Sequence, residues 1–112
     1  MNRGDVVLVS FPDSDLRTAK LRPVLIVQAD DLETGLSQFV LAMITSRTMR
    51  QGHASRVLIT MDSDAGKRSG LLTDSVVMTD NLATVQEWAI DRVIGRLPMA
   101  QIDVALRHTL NL

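Results

Sequence analysis

Short runs of branched apolar residues, each closed within a few positions by turn-forming residues, restrict this chain to β-strands. Val6-Val7-Leu8-Val9 is closed by Phe11-Pro12, and Val24-Leu25-Ile26-Val27-Gln28 follows. Phe39-Val40-Leu41-Ala42-Met43-Ile44, Arg56-Val57-Leu58-Ile59-Thr60 and Ser75-Val76-Val77-Met78 repeat the pattern. Branched side chains suit a pleated, half-buried surface, and runs this short are too brief for buried helices. Leu82-Ala83-Thr84-Val85 reads as a shorter strand, and Val93-Ile94 mark another. Segments 13–20 and 47–55 are polar without a period, hence loops. Segment 29–38 is polar around Gly35, with room for one helical turn. Segment 62–70 carries Asp62, Ser63, Asp64, Gly66, Ser69 and Gly70 and reads as turns. Helical spacing enters after Pro98, where Met99, Ile102, Leu106 and Leu110 make one apolar stripe. Asp103 early and Arg107-His108 late complement the macrodipole of that helix. The expected fold is mainly β with minor α: a small, strongly bent barrel or sandwich of about six to seven strands with a C-terminal helix. A parallel βαβ layout lacks its crossover helices.

With 112 residues the chain fits one domain, 1–112. Phe11, Phe39 and Trp88 are its aromatics, so the core has to be aliphatic. A formal net charge of −1 gives no global attraction to nucleic acid, so a nucleic-acid site would need local clustering of cations. The lysines are Lys20 and Lys67 and the other cations are arginines, which favour bidentate phosphate contacts. The absence of cysteine excludes a disulfide framework, a thiolate nucleophile and thiolate-ligated zinc. GxGxxG, the P-loop and HExxH are missing, and the pairs Asp13/Asp15 and Asp62/Asp64 lack an EF-hand pattern. Neither a metal nor another cofactor is expected. Met1-Asn2-Arg3-Gly4-Asp5 has no signal-peptide layout and the apolar runs are too short for a membrane span. A cytoplasmic location with no membrane association is the simplest expectation.

Three stretches can carry chemistry. Lys20-Leu21-Arg22-Pro23 leads into a buried strand; Pro23 biases Arg22 toward an extended conformation and so presents a guanidinium at the strand start. A cation held this way suits an oxyanion such as phosphate, or is simply a solvated arginine at a strand edge. Thr45-Ser46 sets two hydroxyls where an apolar strand opens into a basic loop, able either to bond a phosphate or merely to start the loop. Asp80, following Val76-Val77-Met78, is a general base or a turn cap at a strand end. His53 lies among arginines, as an acid or base or as a solvated loop residue.

In order and spacing these stretches resemble the MazF/PemK (Kid) family of toxin endoribonucleases. Arg3-Gly4-Asp5-Val6-Val7-Leu8-Val9 is similar to the family's opening "RGEIWLV", and Lys20 to Val27 to its "K-x-RPVLVV". The strand ending in Thr45-Ser46 matches its Thr-Ser strand. Gly70-Leu71-Leu72-Thr73-Asp74-Ser75-Val76-Val77 and Asp80-Asn81-Leu82-Ala83-Thr84-Val85 resemble its "GL-x-x-DS-V" and "DQ-x-RT-I" block, and Gly95-Arg96-Leu97 precedes the last helix as it does there.

The resemblance implies an SH3-like barrel acting as a homodimer. It implies metal-independent, sequence-specific cleavage of single-stranded RNA, by attack of the 2′-OH on the phosphate, and a cognate antitoxin whose acidic segment fills the RNA groove. It gives Arg22 the transition-state phosphate, Thr45 an assisting role, and Asp80 the place of an acidic residue used in the PemK/Kid branch. Arg17, Lys20, Ser46, Arg47, Arg50 and His53 are the expected RNA contacts, with base preference set by loops 13–21 and 47–55. The chain departs from the PemK/Kid pattern at Met78, where that branch has Arg, and in having no His in its first loop. Asn81 replaces a Gln and Leu8 a Trp. An Arg22/Thr45 arrangement closer to MazF therefore fits better, with Arg17, Lys20 or Arg47 open as a further cation. The alternatives are a gyrase poison of the related CcdB type and a weakened relative that only binds RNA or an antitoxin.

Overall fold

A computed structural model describes residues 1–12, 15 and 17–112. Its elements are β1 (Asp5–Pro12), β2 (Ala19–Ile26), β3 (Gln38–Thr45), β4 (Arg56–Ile59), α1 (Asp64–Ser69), β5 (Ser75–Gln86), a 3-10 turn (Glu87–Ala89), β6 (Ile90–Arg96) and α2 (Ala100–Leu110). Among the described residues, six strands form one antiparallel sheet in the order β4-β5-β3-β2-β1-β6. Register shifts in β1–β6, between Val6 and Val7 and between Leu8 and Val9, and in β3–β5, between Ala42 and Met43, bend the sheet.

Strand alternation sends neighbours to opposite faces, and here both faces are covered. Val6, Leu25, Ala42, Ile44, Val57 and Val77 form one cluster, closed by Ile102 and Ala105 of α2. Val7, Val9, Val24, Ile26 and Leu41 form the second, backed by Phe11, Phe39, Val85 and Ile90. Two-sided burial explains why the sequence shows continuous apolar runs rather than alternation. α2 is tied near its start by the Arg3–Asp103 ion pair (2.6 Å) and near its end by Thr79 Oγ1 and Thr109 Oγ1 (2.7 Å). Its buried residues are Ile102 and Ala105; Leu110, expected in the stripe, is about half exposed.

The mainly β fold with a C-terminal helix agrees with the sequence reading, and four local features differ. β2 begins at Ala19, inside the expected loop, because its exposed half pairs with β1 from Val9↔Arg22 to Pro12↔Ala19. The runs at 75–78 and 82–85 are one strand, with Met78 and Leu82 on successive partners of β3 and Thr79-Asp80-Asn81 without a β3 partner between them. Segment 62–70 contains α1, capped by Ser63 Oγ accepting from Gly66 N–H (3.0 Å) and by Gly70 at φ 75°. Segment 29–38 contains no helical turn; its Gly35 takes φ 79°.

Candidate functional site

Arg22 lies in the middle of β2 rather than at its start. Pairing with β3 is confined to Val24–Ile26, so Pro23, which has no N–H to donate, stands where that ladder has not yet begun. The break leaves Arg22 beside the end of β3, and there Thr45 is the last residue, opposite Val76. Thr45 Oγ1 accepts the backbone N–H of Arg47 at 3.1 Å, which turns the chain outward and exposes Ser46 and Arg47. The opposite wall is Gly70-Leu71-Leu72-Thr73 with Ser75. That wall is fixed by close backbone contact: a Cβ on Gly70 would lie 2.1 Å from the Ile94 carbonyl oxygen.

The result is an open cleft of about 840 Å³ with Arg22, Thr45, Ser46, Arg47, Thr73, Ser75 and Arg92 as its polar lining. Leu8, Leu21, Ile44 and Ile94 contribute its apolar lining. Three arginines and four hydroxyls in the described lining supply donors suited to an anion. Thr45 and Arg47 also line a smaller adjoining cleft, about 280 Å³, with Met49, Arg50, Arg56 and Met78. The two clefts share Thr45 and Arg47 in their linings.

Of the residues expected from the sequence, Arg22, Thr45, Ser46 and Arg47 meet in the main cleft and Arg50 in the smaller one. Arg17 and Lys20 are exposed and line neither; Arg17 donates its backbone N–H to Asp15 Oδ1 (2.9 Å). His53 also lies outside both. Its Nδ1 accepts from Ser55 N–H (3.1 Å) and meets Ser55 Oγ (2.7 Å), and its ring faces His108 edge-on at 6.3 Å. A backbone N–H can only donate, so the neutral ring carries its proton on Nε2. Asp80 is not at a strand end. It sits in the segment of β5 that has no β3 partner, where its carboxylate grips Arg56 through Nε (3.0 Å) and Nη2 (3.2 Å). Thr79 is buried there, its N–H (3.0 Å) and Oγ1 (2.7 Å) both donating to Ser55 O, while Asp80 and Asn81 are exposed. The rest of the loop 13–21, assigned to base preference, includes Asp13, Ser14 and Leu16, which lie outside the described residues.

Two arginines escaped the sequence reading. Arg92 reaches the main cleft because β6 pairs Leu8↔Arg92, with Asp91 as its ion-pair neighbour. Arg56 reaches the smaller one from β4. Neither has a local motif; only the register reveals them. Among the described residues no three His, Asp or Glu side chains gather in a way that could hold a metal ion, and no helix is long and apolar enough to cross a membrane.

A profile described as the PemK-like, MazF-like toxins of type II toxin–antitoxin systems matches residues 2–110. The chain belongs to this toxin family. The Mycobacterium tuberculosis toxin MazF-mt6 is 27% identical with a TM-score of 0.70, over 96% of this chain and 97% of that one. A mycobacterial endoribonuclease, solved in complex with its cognate antitoxin, gives a TM-score of 0.74 at 23% identity over 100% and 96% of the two chains. A chain of the MazE–MazF complex from Deinococcus radiodurans gives 0.72 at 14% identity, over 100% and 97%. A search of curated proteins finds no significant match. Within this MazF-like fold, the main cleft gathers the Arg22 and Thr45 that the sequence comparison singled out.

Proposed function

We propose that this toxin is a metal-independent, sequence-specific endoribonuclease that cuts single-stranded RNA in the main cleft. The observation that supports it is the shared lining of Arg22, Thr45, Ser46 and Arg47. The ribose 2′-oxygen attacks the adjacent phosphorus and forms the new P–O2′ bond. The P–O5′ bond breaks, the 2′-OH proton passes to solvent, and the departing 5′-oxygen takes a proton back. The products are a 2′,3′-cyclic phosphate and a 5′-hydroxyl. RNA supplies its own nucleophile, so the protein has to hold the strand and stabilise charge. Arg22 faces the developing phosphorane charge, Thr45 and Ser46 hold the phosphate in register, and Arg47 and Arg92 add positive potential. Asp80, gripping Arg56, acts at a distance from the reacting atoms. Arg17, Lys20 and Arg50 contact the strand further out, and loops 13–21 and 47–55 select the bases.

The protein works in the cytoplasm as a homodimer of single-domain chains, held in check by a cognate antitoxin whose acidic segment occupies the same groove. The mycobacterial endoribonuclease solved with its antitoxin supports that partner. The test is incubation of the purified protein with a long single-stranded RNA in EDTA. Discrete fragments are expected, and Arg22→Ala should slow their appearance about 10²–10³-fold, the usual loss for one electrostatic contact to a transition state. Intact RNA with the wild-type protein, or equal rates for Arg22→Ala, overturns the reading.

A further inference from the structure

We propose that the cavity between α1 and the corner joining β6 to α2 binds a free ribonucleotide, its phosphate on Arg68 and Arg96, its ribose hydroxyls on Asp64 and its base against Pro98 and Met99. This cavity shares no described lining residue with the main cleft, so a nucleotide here is independent of RNA cleavage there.

Size and construction are the first support. The cavity measures about 420 Å³, within the roughly 300–1,000 Å³ typical of small-ligand pockets. Asp64, Ala65 and Arg68 of α1 form one side, and Arg96, Pro98 and Met99 the other. Gly4 gathers the second side. A Cβ there would stand 3.4 Å from Met99 Cγ and 3.6 Å from Arg96 Nη2, so a thioether and a guanidinium converge on one bare backbone position. A cation for a phosphate therefore adjoins a soft apolar surface, and a thioether makes favourable contacts with aromatic rings such as a nucleobase.

The cations are the second support. Asp64 and Arg68 stand four residues apart on α1, a spacing at which opposite charges pair on a helix, yet no ion pair joins them. Arg68 has no ion-pair partner among the described residues, which leaves its guanidinium for a ligand. Arg96 is held from behind: Nη1 pairs with Asp5 Oδ1 (3.2 Å) and Nη2 donates to the Arg3 carbonyl (3.3 Å). Those bonds leave the rest of the donor fork available, and a cation already in place lowers the ordering cost of binding an anion. A phosphate monoester brings a charge of about −2 and acceptor oxygens enough for two guanidiniums on one cavity.

Asp64 is the third support. An ionised carboxylate only accepts hydrogen bonds, so it repels the phosphate and receives hydroxyls, as acidic residues do toward ribose in dinucleotide sites. That orients the ligand, with its phosphate toward the arginines and its sugar toward the first turn of α1, where Asp64 stands. α1 ends at Ser69, and the next residue, Gly70, lies on the wall of the main cleft. A nucleotide spanning the cavity therefore ties α1 to the β6–α2 corner and steadies that wall.

Calorimetric titration of the whole protein with AMP, dAMP and adenosine tests this. AMP should saturate with a Kd below about 1 mM, and dAMP and adenosine should each bind about 10-fold more weakly, the usual loss for a hydrogen bond to a charged partner. Arg68→Gln and Arg96→Gln, both at exposed positions, should each weaken AMP about 10-fold. Asp64→Ala should abolish the preference for AMP over dAMP. Arg22→Ala, in the separate main cleft, should leave AMP affinity within about 2-fold. Amide hydrogen exchange across 64–70 should slow when AMP is bound. No saturation by about 1 mM AMP, equal affinity for AMP and either dAMP or adenosine, wild-type affinity in Arg68→Gln, or unchanged exchange across 64–70 overturns the proposal. Loss of AMP binding in Arg22→Ala overturns it too, by placing the nucleotide in the main cleft. Intact RNA in the cleavage assay overturns the nuclease reading and leaves this site standing.

Discussion

Gly95 lies against Ser69 so closely that a Cβ on it would stand 2.3 Å from the Ser69 carbonyl carbon and 2.4 Å from its oxygen. Gly95 belongs to β6 and Ser69 ends α1, so this contact locks the short helix onto the sheet and with it the 70–73 wall of the cleft. The obstacle is backbone, which cannot swing aside as a flexible side chain would. Gly95→Ala should cost about 1–3 kcal/mol, the usual range for overpacking, and shift the urea midpoint down. Gly52→Ala, with open space at its Cβ, should stay within about 0.5 kcal/mol of wild type.

Most strands were legible because burial on both faces writes itself as uninterrupted apolar runs, as at Val6–Val9 and Phe39–Ile44. What escaped were features set by partners distant in sequence. Thr79 reads as the polar end of a strand, yet it is buried with its hydroxyl satisfied by Ser55 and Thr109, and the strand continues beyond it. α1 carried its own signals, Ser63 as cap, Asp64 in the first turn, Lys67 and Arg68 in the last, and Gly70 beyond. With six residues and no apolar stripe it was indistinguishable from a series of turns. Arg22 and Thr45 were found through their motifs. Arg56 and Arg92 have none, and their places follow from the registers Arg56↔Met78 and Leu8↔Arg92.

Ile102 anchors α2 in the core at about 1% exposure, packed with Ala105 against the sheet. Ile102→Ala should lose about 2–5 kcal/mol, the transfer free energy of the missing atoms plus the cavity they leave. Urea unfolding followed by circular dichroism measures it. Val104→Ala, on the exposed side of the same helix, should change stability by less than about 0.5 kcal/mol, since little surface is buried there. Equal losses at the two positions would mean that α2 docks by a different face.

Asp5 is buried at 6% exposure and accepts from Asn2 N–H (2.8 Å) while pairing with Arg96 Nη1 (3.2 Å). Asp5→Ala strands the Asn2 donor and should cost about 1–3 kcal/mol, the penalty for leaving a part-buried polar group unmade. Arg96 is 59% exposed, so Arg96→Gln should cost at most about 1 kcal/mol, and that loss should shrink with added salt. Thermal melts at low and high salt separate the two.

Thr45 carries two duties that substitutions can separate. Its Oγ1 accepts the Arg47 N–H, which shapes the turn, and because that bond uses an oxygen lone pair the hydroxyl hydrogen is still available to a phosphate in the cleft. Thr45→Ser keeps the oxygen and its hydrogen, so single-turnover RNA cleavage should stay within about 3-fold of wild type. Thr45→Val keeps the branched shape that suits the strand end but removes both functions. It should lose about 1 kcal/mol of stability from the missing turn bond, and cleavage should fall about 10²-fold if the hydroxyl holds the phosphate in the transition state. Measuring kcat and KM apart decides where the loss lies. A fall in kcat means that Thr45 acts on the reacting phosphate, whereas a rise in KM alone means that it only shapes the turn that presents Arg47.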